Sequence, residues 1–301
     1  MGIGHWELGV DQRVSSWVVF KRKTTGSVLC TSCGVLVGVN DETCYNCGRR
    51  NPSLWGFAPA LRALGGDLGF VPFVMGACAI IYGLTLVYSG QNIRMTGVFG
   101  FLGPSELSIL VFGGSGAYPV FRLDRWWTVL SAGWLHAGLL HITLNMLALR
   151  QLAPAVAELY GPGRTVIVYV IAGFVGFLAS SLMGFLLPGV PLIGGSQLTL
   201  GASAPIAGLI GALWYYGRRA GSTQVRTYAT QSVIMMLVYG FMLPGIDNWA
   251  HGGGVAGGYF AARLLDPLKP ERVDHIMIAV VCLAISILSV IASFITAHYA
   301  I

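Results

Sequence analysis

The chain has 301 residues, of which 55% are hydrophobic and 10% charged, with 42 glycines and a formal net charge of +6. Ordinary soluble domains carry about 25% charged residues, so this composition excludes a soluble globular protein. It fits a polytopic membrane protein, in which glycine lets helices pack closely without a hydrophobic force between them.

Residues 1–66 are polar enough to stand in water. The opening stretch MGIGHWELGVDQRVSSWVVFKRK has charges on both sides of a short apolar run and no cleavage-like site, so no signal peptide is expected and the N-terminus is placed in the cytosol. Within this region CTSCGVLVGVNDETCYNCGRR sets Cys30-x2-Cys33 and Cys44-x2-Cys47 ten residues apart. That spacing predicts a tetrahedral four-thiolate zinc site, with Gly34 and Gly48 supplying the tight turns after each pair. A reducing cytosol argues against disulfides. Four ligands close the coordination sphere, so the zinc is expected to fold a ribbon over about 28–50 and to take no part in catalysis. The basic residues around it, Lys21, Arg22, Lys23, Arg49 and Arg50, suit orientation, anionic lipid or a cytosolic partner and not nucleic acid. Cys78 and Cys282 lie singly in apolar segments as packing residues.

From Pro72 onward, apolar segments approach the roughly 20 residues that a membrane-crossing helix needs. Seven spans are predicted, at about 72–90, 138–157, 165–187, 200–217, 229–243, 249–265 and 274–297. The apolar, Gly/Pro-rich region 91–137 predicts a structured loop partly in the membrane interface, held by Trp126, Trp127 and Trp134. With the N-terminus in the cytosol, every basic residue except Arg94, Arg122 and Arg125 falls on the cytosolic side, as the positive-inside rule asks. The second, fourth and sixth spans then all run inward from the outer face.

Polar groups inside lipid are costly and mark function. The second span carries His136, His141 and Asn145 in WLHAGLLHITLNMLAL, with His141 and Asn145 four apart on one helical face. Ser203 lies about one turn into the fourth span, in GASAPIAGLIGALW, and His251 about one turn into the sixth, in NWAHGGGVAGGYF. A serine hydroxyl becomes a nucleophile when a neutral histidine within reach takes its proton, and equal depth is what such a pair needs. Gly201, Gly208 and Gly211 on one helix, with Gly253 and Gly257 or Gly254 and Gly258 on the other, have small-xxx-small spacing that permits close approach. Taken singly, Ser203 reads as a cap and His251 as a structural histidine; the whole set at one depth reads as a site. Backbone N–H groups at the start of the fourth span, with His141 and Asn145, would face a developing oxyanion. Apart from Asp247 no acid lies near, so the reading is a dyad. His136 and His141 lack an H-E-x-x-H arrangement, which disfavours a metalloprotease, and polar residues gathered at one face disfavour a transporter.

HAGLLHITLN, ELYGPGR (Glu158, Gly161, Arg164), GASAPIAGLIGA and AHGGGVAGGYF, in this order over residues 70–265, resemble the rhomboid family of intramembrane serine proteases. The resemblance implies an all-α six-helix membrane core over 70–265, here followed by a linker and a seventh transmembrane helix within 266–301. It implies Ser203 as nucleophile, with its own N–H at the oxyanion, His251 as base, and His141 and Asn145 as oxyanion donors. His136, Gly201 and Gly254 would be structural positions beside the site. The implied activity is cleavage of membrane-anchored substrate proteins near their helix ends, by water admitted from the outer face; a prokaryotic plasma membrane is the expected location. A relative that binds client helices without cutting them is the alternative. Two residues depart from the family pattern: Ala204 stands where glycine follows the nucleophile, and Thr128 where many members have arginine after the first-loop tryptophan. A methyl at 204 is expected to crowd the oxyanion site or the approach of the sixth span.

Overall fold

The structure, a computed structural model, describes residues 22–62, 66–190, 193–243 and 245–300. The predicted cytosolic residues Arg13 and Lys21 lie outside the described residues. Two compact units are present, Met1–Gly65 and Gly66–Ile301.

In the first unit, strands β1 (Ser27–Leu29) and β2 (Leu36–Gly38) form an antiparallel hairpin in which Val28 opposes Val37, and a short helix α1 (Ala58–Arg62) follows. Val28, Val37, Val39, Cys30 and Cys44 are buried together. A core this small needs a metal or another staple to hold it.

The second unit opens with α2 (Phe70–Ser89), capped by Asp67, whose carboxylate accepts the N–H groups of Gly69 and Val71 at 3.2 and 2.8 Å. The region predicted as a structured loop contains β3 (Arg94–Thr96), α3 (Gly97–Gly100), β4 (Phe101–Gly103), α4 (Glu106–Phe112), α5 (Ala117–Phe121) and α6 (Thr128–Ser131), with β3 and β4 antiparallel. Its three tryptophans do different things from one another. Trp134 is buried in the core and Trp127 donates its indole N–H to Ser293 Oγ at 3.1 Å, while Trp126 stays 66% exposed.

Long helices then follow in series: α7 (Leu139–Tyr160), α8 (Pro162–Leu186), α9 (Ser203–Arg219), α10 (Thr223–Met242), α11 (Asn248–Leu265) and α12 (Val273–Ala300). A helix therefore stands at each of the seven predicted spans. Four of them, α2 with its 3-10 extension to Asn92, α7, α8 and α12, are long and apolar enough by themselves to cross a membrane. The shortfall of α9 and α11 has a physical reason. Their packed faces are glycine and alanine, chosen for close approach, and α9 is buried along most of its length, so protein and not lipid surrounds it.

The contacts between these helices fix their directions. A Cβ placed on Gly254 would stand 2.2 Å from Ala204 O, one on Gly258 2.0 Å from Gly208 O, and one on Gly211 2.1 Å from Val255 O. From Ala204–Gly254 to Gly208–Gly258, and on to Gly211, where the Cβ would also lie 3.0 Å from Tyr259 N, both residue numbers rise together, so α9 and α11 run parallel, backbone against backbone. Gly253 and Gly257 face α8 instead, against Gly176, Ala179 and Val175. Thus only one of the two glycine pairs that the spacing allowed meets α9, and Gly201 meets neither helix. The Tyr160 hydroxyl donates to Ala212 O at 2.9 Å, and His141 lies beside Gly201, so α7 runs in the same direction as α9. Helix α8 runs the other way, with Gly173 against Pro205 and Gly176 against Ala250.

At the far end, α8 is tied to the α11–α12 connection. Glu271 accepts the Arg164 N–H at 2.9 Å, and the Arg164 guanidinium donates to the carbonyls of Leu265, Asp266 and Lys269 at 3.0, 2.8 and 2.7 Å. Gly161, at φ 89°, passes so close that a Cβ there would stand 2.5 Å from the Glu271 carboxyl carbon.

Candidate functional site

Ser203 is the first residue of α9 and not one turn inside it. The helix starts late because the preceding segment is held by other partners. Thr199 exchanges backbone hydrogen bonds with Ser115 at 2.7 and 2.9 Å, Ser196 O and Gln197 O accept from Ala117 and Tyr118, and Gly201 N–H donates to Ala132 O at 2.9 Å. Gly201 itself has φ 128°, a conformation that only glycine adopts readily.

His251 is the fourth residue of α11, close to the predicted depth. Asp247 caps this helix by accepting the Ala250 N–H at 3.0 Å, and its other oxygen takes the Ser180 hydroxyl from α8. The carboxylate thus serves the helix start, and His251 Nδ1 is buried with no hydrogen-bond partner. Because Ala204 meets Gly254, Ser203 and His251 both stand at the end where α9 and α11 begin. Among the described residues no hydrogen bond joins the Ser203 hydroxyl to the His251 ring.

His141, the third residue of α7, accepts the Ala137 N–H on Nδ1 at 3.1 Å. A neutral ring so bonded carries its proton on Nε2. That nitrogen lies 2.8 Å from the point where a Cβ on Gly201 would stand, and Ser203 Oγ lies 3.6 Å from the same point. Glycine at 201 therefore leaves room for His141 Nε2 on the Ser203 side. Asn145 is buried one turn further along α7 and donates to His141 O at 2.8 Å, which leaves its second amide hydrogen unclaimed by that bond. His136 is buried, its ring 5.2 Å from that of His141 in an edge-on arrangement, and among the described residues neither of its nitrogens has a hydrogen bond of normal geometry.

The two departures from the family pattern have local answers. Ala204 Cβ lies 3.1 Å from where a Cβ on Gly176 would stand, so its methyl occupies space that a glycine of α8 leaves open. Thr128 is buried, and its hydroxyl donates to Arg125 O at 2.7 Å. Arg125, which the charge pattern placed outside, is only 1% exposed. Sequence reasoning missed Arg125, Ser180 and Gly176 as supports of this end. For Arg125 there was a signal: an arginine beside two tryptophans in an apolar stretch.

In the first unit the four sulfurs of Cys30, Cys33, Cys44 and Cys47 lie within 4.8 Å of one another. Cys30 and Cys47 are 3.8 Å apart and Cys33 and Cys44 3.6 Å, close to the roughly 3.8 Å that four sulfurs about 2.3 Å from a tetrahedral ion require. Gly34 and Gly48 have φ 76° and 69° and donate their N–H groups to Cys30 O and Cys44 O at 3.0 and 2.9 Å, which makes the predicted turns. The Val35 N–H draws the Cys33 thiol down to about 6, while burial pushes Cys47 up to about 12. The cluster suits a metal ion.

Apolar helices long enough to cross a bilayer, packed through glycine around one polar end, define an integral membrane protein of the polytopic helical class. Residues 123–268 match the rhomboid domain. The chain is 33% identical over 166 residues to the rhomboid protease GluP of Bacillus subtilis (strain 168), covering 54% of this chain and 31% of that protein. It is 34% identical over 182 residues to RHOMBOID-like protein 4 of Arabidopsis thaliana, covering 59% and 43%, and 25% identical over 193 residues to rhomboid-like protease 3 of Toxoplasma gondii, covering 62% and 71%. The chain therefore carries a rhomboid domain, with rhomboid proteases among the proteins it is similar to. Its match spans less than half the length of the Bacillus and Arabidopsis relatives.

Proposed function

We propose that the protein is an intramembrane serine endopeptidase that cuts membrane-anchored proteins by a Ser203/His251 dyad. The observation that carries this reading is the parallel backbone contact of α9 and α11, which brings Ser203 and His251 to one end of the bundle with His141 Nε2 beside them. In the mechanism, Ser203 Oγ attacks the scissile carbonyl carbon as the His251 ring takes its proton. The tetrahedral oxyanion is met by His141 Nε2–H, the free amide hydrogen of Asn145 and the Ser203 N–H, at a helix start whose dipole favours negative charge. His251 then gives the proton to the leaving amine, and water hydrolyses the acyl-enzyme by the same route in reverse. The engagement of Asp247 with Ser180 and Ala250 supports a dyad over a triad.

In this reading residues 70–265 are the catalytic core and 266–301 a linker and added span. Residues 1–66 carry a cytosolic ribbon that would hold a structural zinc through Cys30, Cys33, Cys44 and Cys47. The location is a prokaryotic plasma membrane with the site opening to the outer face, and the partners are transmembrane substrates, lipid and, at the ribbon, a cytosolic protein. One feature favours the alternative, a rhomboid-fold protein that binds client helices without cutting: no hydrogen bond joins Ser203 to His251, although sites of this kind are often looser before substrate binds.

Purified protein treated with a fluorophosphonate probe decides between them. Labelling of the wild type that disappears in Ser203→Ala and His251→Ala supports the protease. In His141→Ala, loss of one oxyanion donor lowers turnover of a model transmembrane substrate by about 10²-fold or more. A folded wild-type protein that neither labels nor cuts sinks the protease reading and leaves client binding.

A further inference from the structure

Helix α12 lies outside the matched rhomboid domain, which ends at residue 268, yet it is joined to the active end by a buried arginine. Arg125 donates from Nη1 to Leu110 O at 2.7 Å and from Nη2 to Ser293 O, in the last third of α12, at 2.6 Å. Trp127 adds its bond to Ser293 Oγ. A guanidinium inside a membrane protein is expensive to desolvate and persists where it does something. Here it holds one stretch of chain against two helices.

That stretch is the platform for the segment leading to Ser203. Arg125 N–H donates to Pro119 O and Arg125 O accepts the Thr128 hydroxyl, while Ser131 Oγ donates to Gly113 O at 2.6 Å. The platform so braced gives its backbone to the other segment: Ser115 pairs with Thr199, and Ala132 O accepts Gly201 N–H. Ser203 comes two residues later. We infer that Arg125 is a positioning residue through which the added helix α12 sets the segment that presents Ser203. The consequence for catalysis rests on the protease reading above; the mechanical link does not.

The test uses the full chain in detergent, comparing wild type with Arg125→Leu, Arg125→Lys and Trp127→Phe. Hydrogen exchange of a peptide covering 196–202 reports the Thr199 and Gly201 amides directly. We expect exchange at least ten times faster in Arg125→Leu, a smaller rise in Arg125→Lys, which can reach one carbonyl, and unchanged exchange in the body of α7 and α8. Fluorophosphonate labelling should slow by a similar factor and recover in part with lysine. Unchanged exchange of 196–202 in a folded Arg125→Leu protein overturns the inference, as does an equal rise across α7, α8 and α9, which would mean general loosening. If Arg125→Leu does not fold, Trp127→Phe decides by the same comparison, with a rise of about threefold confined to 196–202 expected and no local rise overturning it. A wild-type protein that never labels removes the protease reading but leaves the exchange result to judge the link.

Discussion

The methyl of Ala204 lies in the space left by Gly176, and its carbonyl is what meets Gly254. Crowding by this methyl is the expected cost of departing from glycine; its place beside Gly176 of α8 argues for a small effect. Ala204→Gly should therefore leave fluorophosphonate labelling within about threefold of wild type, since the group removed touches α8. It should lower stability by about 0.5–1 kcal/mol, the usual penalty of glycine in a helix; labelling rate and thermal melting measured on the same preparation check both. A large gain in labelling would show that the methyl does obstruct the site. His141 makes a related point about single residues. The hydrogen bond from Ala137 N–H fixes which ring nitrogen carries the proton, and that detail lies in backbone geometry invisible in a string of letters.

Between elements, the decisive contact is α9 on α11. A Cβ at Gly258 would stand 2.0 Å from Gly208 O, whereas one at Gly252 would meet nothing within 4 Å. Gly258→Ala should thus destabilise by about 1–3 kcal/mol through forced separation of two backbones. Gly252→Ala should be neutral or stabilising by up to about 1 kcal/mol, because alanine is the better helix former. Melting curves of the two variants, which add the same methyl six residues apart, make the comparison. Equal melting temperatures would refute the close contact. Hydropathy made all seven helices legible in the sequence, and the polar residues His141, Asn145, Ser203 and His251 stood out against it. Glycine spacing was legible only as a choice between two faces, because periodicity gives a helix its stripes but not the neighbour each stripe meets. The partners of Arg125 and Asp247 were not legible for the same reason. Those partners, Ser293 and Ser180, lie 168 and 67 residues away in the chain, and no local pattern encodes such a distance.

At the scale of the whole molecule, each unit has its own core: valines and cysteines in the first, the helical interior in the second. The purified chain should hold about one zinc per molecule, the number one tetrathiolate site binds, and Cys44→Ser should release it, as metal analysis would show. The melting of the membrane unit and its fluorophosphonate labelling should then stay unchanged; a joint loss would mean that the ribbon supports the core. The segment that pairs with Ser115, Ala117 and Ala132 before turning into α9 has one more consequence, for anyone who would engineer this end. Each residue added between Ser196 and Gly201 would carry Ser203 about 3.3 Å along the chain and out of step with its ladder. Gly189 takes part in none of those bonds, and nothing among the described residues lies within 4 Å of where its side chain would stand, although its φ of 72° favours keeping the glycine and inserting beside it. An epitope or fluorophore grafted beside Gly189 should be carried silently, while the same graft at Gln197 should erase the site.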